Sequence, residues 1–276
     1  MFLIDVAYTS VYEHSNVRNK TQYILSLSAK DTIDYVFLGS SRVENSIIAS
    51  KIEKTTGKRT LNLGTQAAKL ADIRFFLELL GEQEATIKKV FIQVDYIFNI
   101  ESSSDIVRSQ ALPYIRSNET IKNHLKQVDS MYNYNYYIPF YRYATNDYKI
   151  GFREFFATLI NKKAALNFDD GFVPYNNLIV SKKNATLPLK IVERNANFDA
   201  ISLLQKEKSI DITFFCAPFC LNLENENYTK QLQNRIPNFK DYSRVIQNDT
   251  MFVNCSHLNE EGANYFTDFL IKELAL

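Results

Sequence analysis

Between Ile33 and Asp95 the chain repeats one pattern: a short β-branched and aromatic run, a turn of small residues, then an amphipathic stretch. Ile33–Leu38 leads through Gly39-Ser40-Ser41-Arg42 into Val43, Ile47, Ile48 and Ile52, whose spacing is helical. That helix is expected to run to about Lys54, with Gly57 just past its last turn. Arg59–Leu63 leads through Gly64-Thr65-Gln66-Ala67 into a helix over 68–80, where Leu70, Ile73, Phe76, Leu77 and Leu80 mark one buried face. Lys89–Val94 is almost uninterrupted apolar sequence, as in a parallel strand covered on both faces, and it ends in Asp95-Tyr96. Successive strand-turn-helix units call for right-handed crossovers. The expected fold is therefore α/β: a three-layer, doubly wound, mainly parallel sheet of flavodoxin-like type. Sites in such sheets lie outside the carboxyl ends of the strands, the edge on which Ser41, the Gly64–Ala67 loop and Asp95 all fall.

A length of 276 residues suits one α/β domain over 1–276 with an insertion. A helix is expected near 16–29, bracing the sheet. From 99 to 188 the alternation lapses into a mainly helical stretch, with helices near 119–131 and 151–164. Between them lies a tyrosine-dense segment containing Tyr132, Tyr134, Tyr136, Tyr137, Tyr141, Tyr143 and Tyr148. This insertion is expected to cover the strand-end face as a lid. Its rings suit a lid or a sugar-stacking wall, while for any single tyrosine packing of the insertion onto the main domain is the favoured reading. A helix over 189–207, a fourth strand over 209–216 ended by Pro218, a polar helix near 225–235, a short strand over 251–253 and a final helix capped by Asn259 complete the pattern.

A formal charge of +1, with Lys+Arg nearly balanced by Asp+Glu, argues against a nucleic-acid surface or a polybasic membrane patch. Cys216, Cys220 and Cys255 have no metal-ligand spacing, so no metal is expected, and their odd number argues against a disulfide framework. Cys216 and Cys220 are open to pairing in an oxidising compartment, or to serving as small apolar residues at a strand end. No Gly-x-Gly-x-x-Gly follows a strand, which disfavours a nucleotide cofactor; none is expected. The sequence holds no 18-residue apolar run and no signal-peptide pattern. Met1-Phe2-Leu3-Ile4-Asp5 reads as the middle of a segment, leaving room for an upstream anchor. An extracytoplasmic setting is expected if such an anchor was removed, and a cytoplasmic one otherwise.

Ser41 sits where a strand ends and a helix begins, so unpaired backbone N–H groups and the helix dipole favour negative charge beside its hydroxyl. A nucleophile suits that position; so does a helix cap, since serine is a preferred N-cap residue. His257, in Asn254-Cys255-Ser256-His257, has the same two readings, a base or a turn histidine at the last helix. His14 and His124 are expected at the surface.

Three motifs together, Gly-x-Ser after the first strand, Asn62-Leu63-Gly64 after the second and His257-Leu258-Asn259-x-x-Gly262-Ala263 entering the last helix, resemble the SGNH/GDSL hydrolase superfamily. The nearest likeness is to its Gly-Ser-Ser branch, associated with acylation and deacylation of bacterial surface polysaccharides. The resemblance covers about 31–100 and 205–276. It implies an esterase or O-acyltransferase acting on an acylated carbohydrate or other small ester, with Ser41 as nucleophile and His257 as general base. The triad acid's position is held by Asn254, which carries no charge to offset imidazolium. The implied oxyanion hole comprises Ser41, Gly64 or Ala67, and Asp95, the last a departure because a carboxylate does not donate. Arg42, Gln66 and Tyr96 are the implied substrate contacts. The departures at Asn254 and Asp95 keep a second reading open, a non-catalytic relative that binds a polysaccharide or a partner in its assembly.

Overall fold

The computed structural model describes residues 1–175 and 184–274. Nine strands are present among these residues: β1 (Thr32–Leu38), β2 (Thr60–Asn62), β3 (Thr86–Gln93), β4 (Ala185–Thr186), β5 (Ile212–Cys216), β6 (Leu223–Glu224), β7 (Phe239–Asp241), β8 (Phe252–Asn254) and β9 (His257–Leu258). Five form the central sheet in the order β2-β1-β3-β5-β7, every neighbouring pair parallel. Counted among themselves these strands run 2-1-3-4-5, the flavodoxin-like order, with the switch point between β1 and β3.

Both faces of the sheet are covered, and the pleat shows it. Phe37, Phe91 and Phe215 enter one core with Ile52, Phe266 and Leu270. Their strand neighbours Val36, Leu38, Val90, Ile92, Phe214 and Cys216 enter the other with Ile24, Leu77 and Ile201. Alternate residues of a strand point to opposite faces, so the two cores are the two interfaces of a three-layer α/β sandwich. Helices α2 (Lys20–Ser26), α5 (Leu70–Glu82) and α12 (Ala196–Glu207) cover one side; α4 (Ala49–Thr56) and α14 (Glu260–Glu273) cover the other.

Several elements depart from the sequence pattern. The helix expected over 41–54 is broken into α3 (Ser41–Glu44) and α4. The Asn62 side chain causes the break by donating to the carbonyls of Val43 (2.9 Å) and Ile47 (2.7 Å), while the Ile48 N–H donates to Thr267 Oγ1. The fifth sheet strand is β7, which the pattern does not announce; the short strand expected at 251–253 is present as β8, paired antiparallel with β9 outside the central sheet. Phe2–His14 forms α1, and the helix expected near 16–29 shortens to α2, capped by Asn19 accepting from the Gln22 N–H. Cys220 and Cys255 form a disulfide and Cys216 is the buried free thiol, correcting the expectation against a bridge and the Cys216–Cys220 alternative.

The stretch over 99–188, of which 176–183 lie outside the described residues, carries six α-helices among those described: α6 (Asp105–Ala111), α7 (Glu119–Val128), α8 (Tyr132–Tyr137), α9 (Tyr141–Thr145), α10 (Asp147–Ile150) and α11 (Phe152–Leu159). Much of it packs on α1: Tyr12 Oη donates to the Ile150 carbonyl, and Asp5 accepts from Arg142 and Arg116. Of the tyrosines singled out above, Tyr143 is fully buried while Tyr134, Tyr137 and Tyr148 are exposed. His124 is not a surface residue. It is 1% exposed, stacked on Phe75 at 4.2 Å, with no partner for either ring nitrogen among the described residues.

Candidate active site

Ser41 begins α3 immediately beyond the end of β1, and His257 opens β9. Their functional atoms meet: Ser41 Oγ lies 2.8 Å from His257 Nε2. On the far side of the ring, Nδ1 lies 3.0 Å from Asn254 Oδ1. The backbone N–H of Ser256 also meets Asn254 Oδ1, at 3.0 Å, and an N–H can face only an acceptor, which identifies this atom as the amide oxygen. Nδ1 must therefore carry the hydrogen, and Nε2 presents its lone pair to the serine hydroxyl. That is the tautomer a general base needs. Ser256 Oγ completes the cluster, 3.1 Å from Asn254 Oδ1 and 3.2 Å from Nδ1.

Two further features act on the imidazole. Burial, with a smaller contribution from the Arg42 guanidinium, pulls the His257 pKa down from 6.5 to about 4, so the ring is neutral at neutral pH. Tyr175 stacks on it, ring centroids 5.2 Å apart and planes 16° from parallel. A tyrosine face excludes water from one side of the ring and attracts it when it becomes cationic. The hairpin is held from below by the Cys220–Cys255 bridge, one residue from Asn254, and by the Cys220 N–H donating to the Cys255 carbonyl.

The serine turn is held as firmly. The Ser40 N–H and Oγ both reach Gln93 Oε1, at 2.8 and 2.9 Å. A Cβ on Gly39 would lie 2.3 Å from Val43 Cγ2 and 2.7 Å from Gln93 Oε1, so only glycine lets the chain turn this closely beneath α3. Asp95 lies two residues past the end of β3, and Gln93 Nε2 donates to Asp95 Oδ2. Arg42 also donates to Asp95 Oδ2, and to the carbonyls of Ala217 and Pro218 at 2.7 Å each, while its guanidinium lies 3.5 Å from the centre of the Phe219 ring.

This ion pair revises two expected roles. Arg42 and Asp95 are both 0% exposed, so Arg42 is a buried tie from α3 to the segments that follow β3 and β5, not a substrate contact. Asp95 accepts through both oxygens, from Arg42, Gln93 and the Ile97 N–H, and has no hydrogen to offer an oxyanion. Gly64 also leaves the oxyanion set: its N–H donates to Asn62 Oδ1 at 2.9 Å, and a Cβ there would lie 2.4 Å from the Glu44 nitrogen. The N–H groups of Ser41 and Ala67 donate to no acceptor among the described residues. Ala67 is held at φ 58° in an exposed turn closed by the Ala68 N–H donating to the Thr65 carbonyl, a conformation glycine adopts more easily. Gln66 is exposed in the same turn, and Tyr96 is half-buried beyond Asp95.

Lys20, Gln93, Ser256 and Tyr175 are parts of this arrangement that the sequence pattern does not single out. Lys20 is buried and donates to Glu44 at 3.0 Å, to the Gly171 carbonyl at 3.2 Å and to the Gly64 carbonyl, tying α3 to both flanking loops. Burial lowers its pKa, against the pull of Glu44. The Val173 N–H donates to the Glu44 carbonyl and Asn45 Nδ2 to the Val173 carbonyl, which carries the 171–175 segment along α3 toward His257. Of the four, Gln93 had a readable signal, a polar residue interrupting the apolar end of β3 just before the sheet edge that carries Asp95. No group of three or more metal-ligating side chains occurs among the described residues. No family model matches the sequence, and no curated protein matches it.

Proposed function

We propose that this chain is an SGNH-like serine esterase or O-acyltransferase that works through an acyl group carried on Ser41. The observation that carries the reading is the continuous path from Ser41 Oγ to His257 Nε2 and from Nδ1 to Asn254 Oδ1, at 2.8 and 3.0 Å. In the first half-reaction Ser41 Oγ bonds to the ester carbonyl carbon and its proton passes to Nε2. The carbon–oxygen bond to the alcohol then breaks, and the departing oxygen takes that proton. In the second, water or a sugar hydroxyl gives its proton to Nε2 and attacks the acyl carbon, and Ser41 Oγ leaves with the proton restored. The N–H groups of Ser41 and Ala67 are the proposed donors to the intermediate oxyanion. Tyr175 partly compensates for the missing triad charge, because its ring face favours imidazolium.

The proposed substrate is an acylated carbohydrate, on the strength of the motif resemblance around Ser41, Gly64 and His257. The Cys220–Cys255 bridge supports an oxidising, extracytoplasmic setting. A fluorophosphonate probe tests the nucleophile: wild type is expected to label, and Ser41→Ala to remain unlabelled. Equal labelling of the two, or labelling of neither, refutes the assignment. Asn254, uncharged where the chemistry prefers an acid, favours the second reading, a non-catalytic binding protein of the same fold; substitution at that position separates the two.

A further inference from the structure

A water-facing helix normally turns its polar side outward, and α11 does the reverse. Phe152, Phe156, Leu159 and Ile160 recur at i, i+4, i+7 and i+8, and all are at least half exposed. Phe152 and Phe156 stack on each other in solvent with ring centroids 6.3 Å apart. The inward side is already occupied, with Phe155 stacked on Tyr8 of α1 at 3.9 Å and Thr158 buried. The neighbouring α1 adds exposed Phe2, Leu3 and Val6. Among the described residues, exposed large apolar side chains concentrate here: α1 with its cap Met1 and the stretch 131–160 hold all but Leu189, Val192, Leu203, Leu221 and Tyr265. Single exposed apolar residues are ordinary, but a concentration of this kind marks a contact surface.

The charge beside this face says what it contacts. Between 149 and 163 stand Lys149, Arg153, Lys162 and Lys163 against one acid, Glu154, whose carboxylate is held by Arg18. Arg153, Lys162 and Lys163 are exposed and form no ion pair among the described residues, in a chain whose formal net charge is only +1. Aromatic and aliphatic side chains flanked by unpaired cations suit the boundary between acyl chains and anionic headgroups. We propose that the outer faces of α11 and α1 form a docking surface for an anionic membrane leaflet, with Phe152 and Phe156 inserted and Arg153, Lys162 and Lys163 against the lipid phosphates. No helix among the described residues is long and apolar enough to cross a membrane, and the proposed contact is peripheral.

Co-sedimentation of the full chain with phosphatidylcholine vesicles, with and without 30 mol% phosphatidylglycerol (about a third anionic, an order-of-magnitude match to an anionic leaflet), tests this. Binding is expected only to the anionic vesicles. It should weaken about tenfold or more in Phe152→Ser/Phe156→Ser and in Lys162→Glu/Lys163→Glu, since each cation near a charged surface is worth roughly fivefold. Fluorophosphonate labelling reports separately on Ser41 and should be unchanged in both variants. Failure of wild type to bind anionic vesicles, or equal binding by the phenylalanine variant, overturns the proposal. A concentration-dependent dimer in analytical ultracentrifugation that Phe152→Ser/Phe156→Ser abolishes also overturns it, by assigning the face to a second copy of the chain.

Discussion

Replacing Asn254 by Asp asks the site whether it is chemically poised. Asp keeps the oxygen that accepts from His257 Nδ1, the Ser256 N–H and Ser256 Oγ at 3.0 to 3.1 Å, so the geometry has no reason to change. What changes is the charge facing the ring when Nε2 takes the serine proton. Two unit charges about 4 Å apart at an effective dielectric of about 20 attract by about 4 kcal/mol. At the barrier that corresponds to about 10³-fold. The opposite exchange in a Ser-His-Asp triad costs about 10⁴-fold, which agrees in sign and scale. Asn254 is half-buried rather than sealed, so screening trims the gain, and about 10²-fold in kcat/KM is the expected result. The same charge raises the His257 pKa from about 4 by roughly one to three units, which moves the acid limb of the kcat/KM profile upward. The assay is hydrolysis of a p-nitrophenyl acyl ester over pH 4 to 9, with far-ultraviolet circular dichroism to confirm folding. A folded variant whose rate rises less than threefold, about 0.65 kcal/mol at the barrier, with its acid limb unmoved, refutes the dyad reasoning. A variant as inert as wild type favours the binding-protein reading.

Two further outcomes follow from buried groups. Arg42→Met leaves the Asp95 carboxyl 0% exposed and without its counter-charge; urea unfolding should show a loss of about 3–5 kcal/mol, and adding Asp95→Leu should recover much of it. A single-variant loss below about 1 kcal/mol would show that the pair is not structural. Burial lowers the His124 pKa to about 3, so below about 6.5 the unfolded chain takes up a proton that the folded one refuses, and the histidine's contribution to stability is lost as pH falls from about 6.5 toward 3. His124→Phe keeps the stack on Phe75 without the titration. Its stability relative to wild type should improve by about 1.4 kcal/mol per pH unit between pH 6 and 4, and a pH-independent difference contradicts the assignment.

The first three parallel strands are legible in the sequence because each depends on local signals, whereas the expectation that Ser41 faces His257 comes from the motif resemblance and not from periodicity. Apolar runs followed by small turns specify β1, β2 and β3, and parallel strands in one sheet must carry their loops to one edge. Asn254 and His257 lie within one hairpin, so their mutual geometry is set within four residues. The break after Glu44 depends instead on Asn62, eighteen residues away in sequence, capturing two carbonyls of what would otherwise be continuous helix. Strand β7 is three residues long and has no periodicity to read; its pairing with β5 defines it.

The roles of charged and polar side chains separate sequence from tertiary structure most clearly. Residue type says that Arg42 is a cation and Asp95 an anion, and both stand at the carboxyl-end edge of the sheet. Only the packed structure places them against each other at 0% exposure, because a buried charge must find its counter-charge whatever its distance along the chain. The same holds for Cys220 and Cys255, 35 residues apart, and for Tyr175, which comes from the end of the insertion to lie on the imidazole. Sequence alone determined where the chemistry-bearing atoms attach to the backbone. Tertiary structure decided which of them face one another, since burial, counter-charge and ring stacking are properties of neighbours in space.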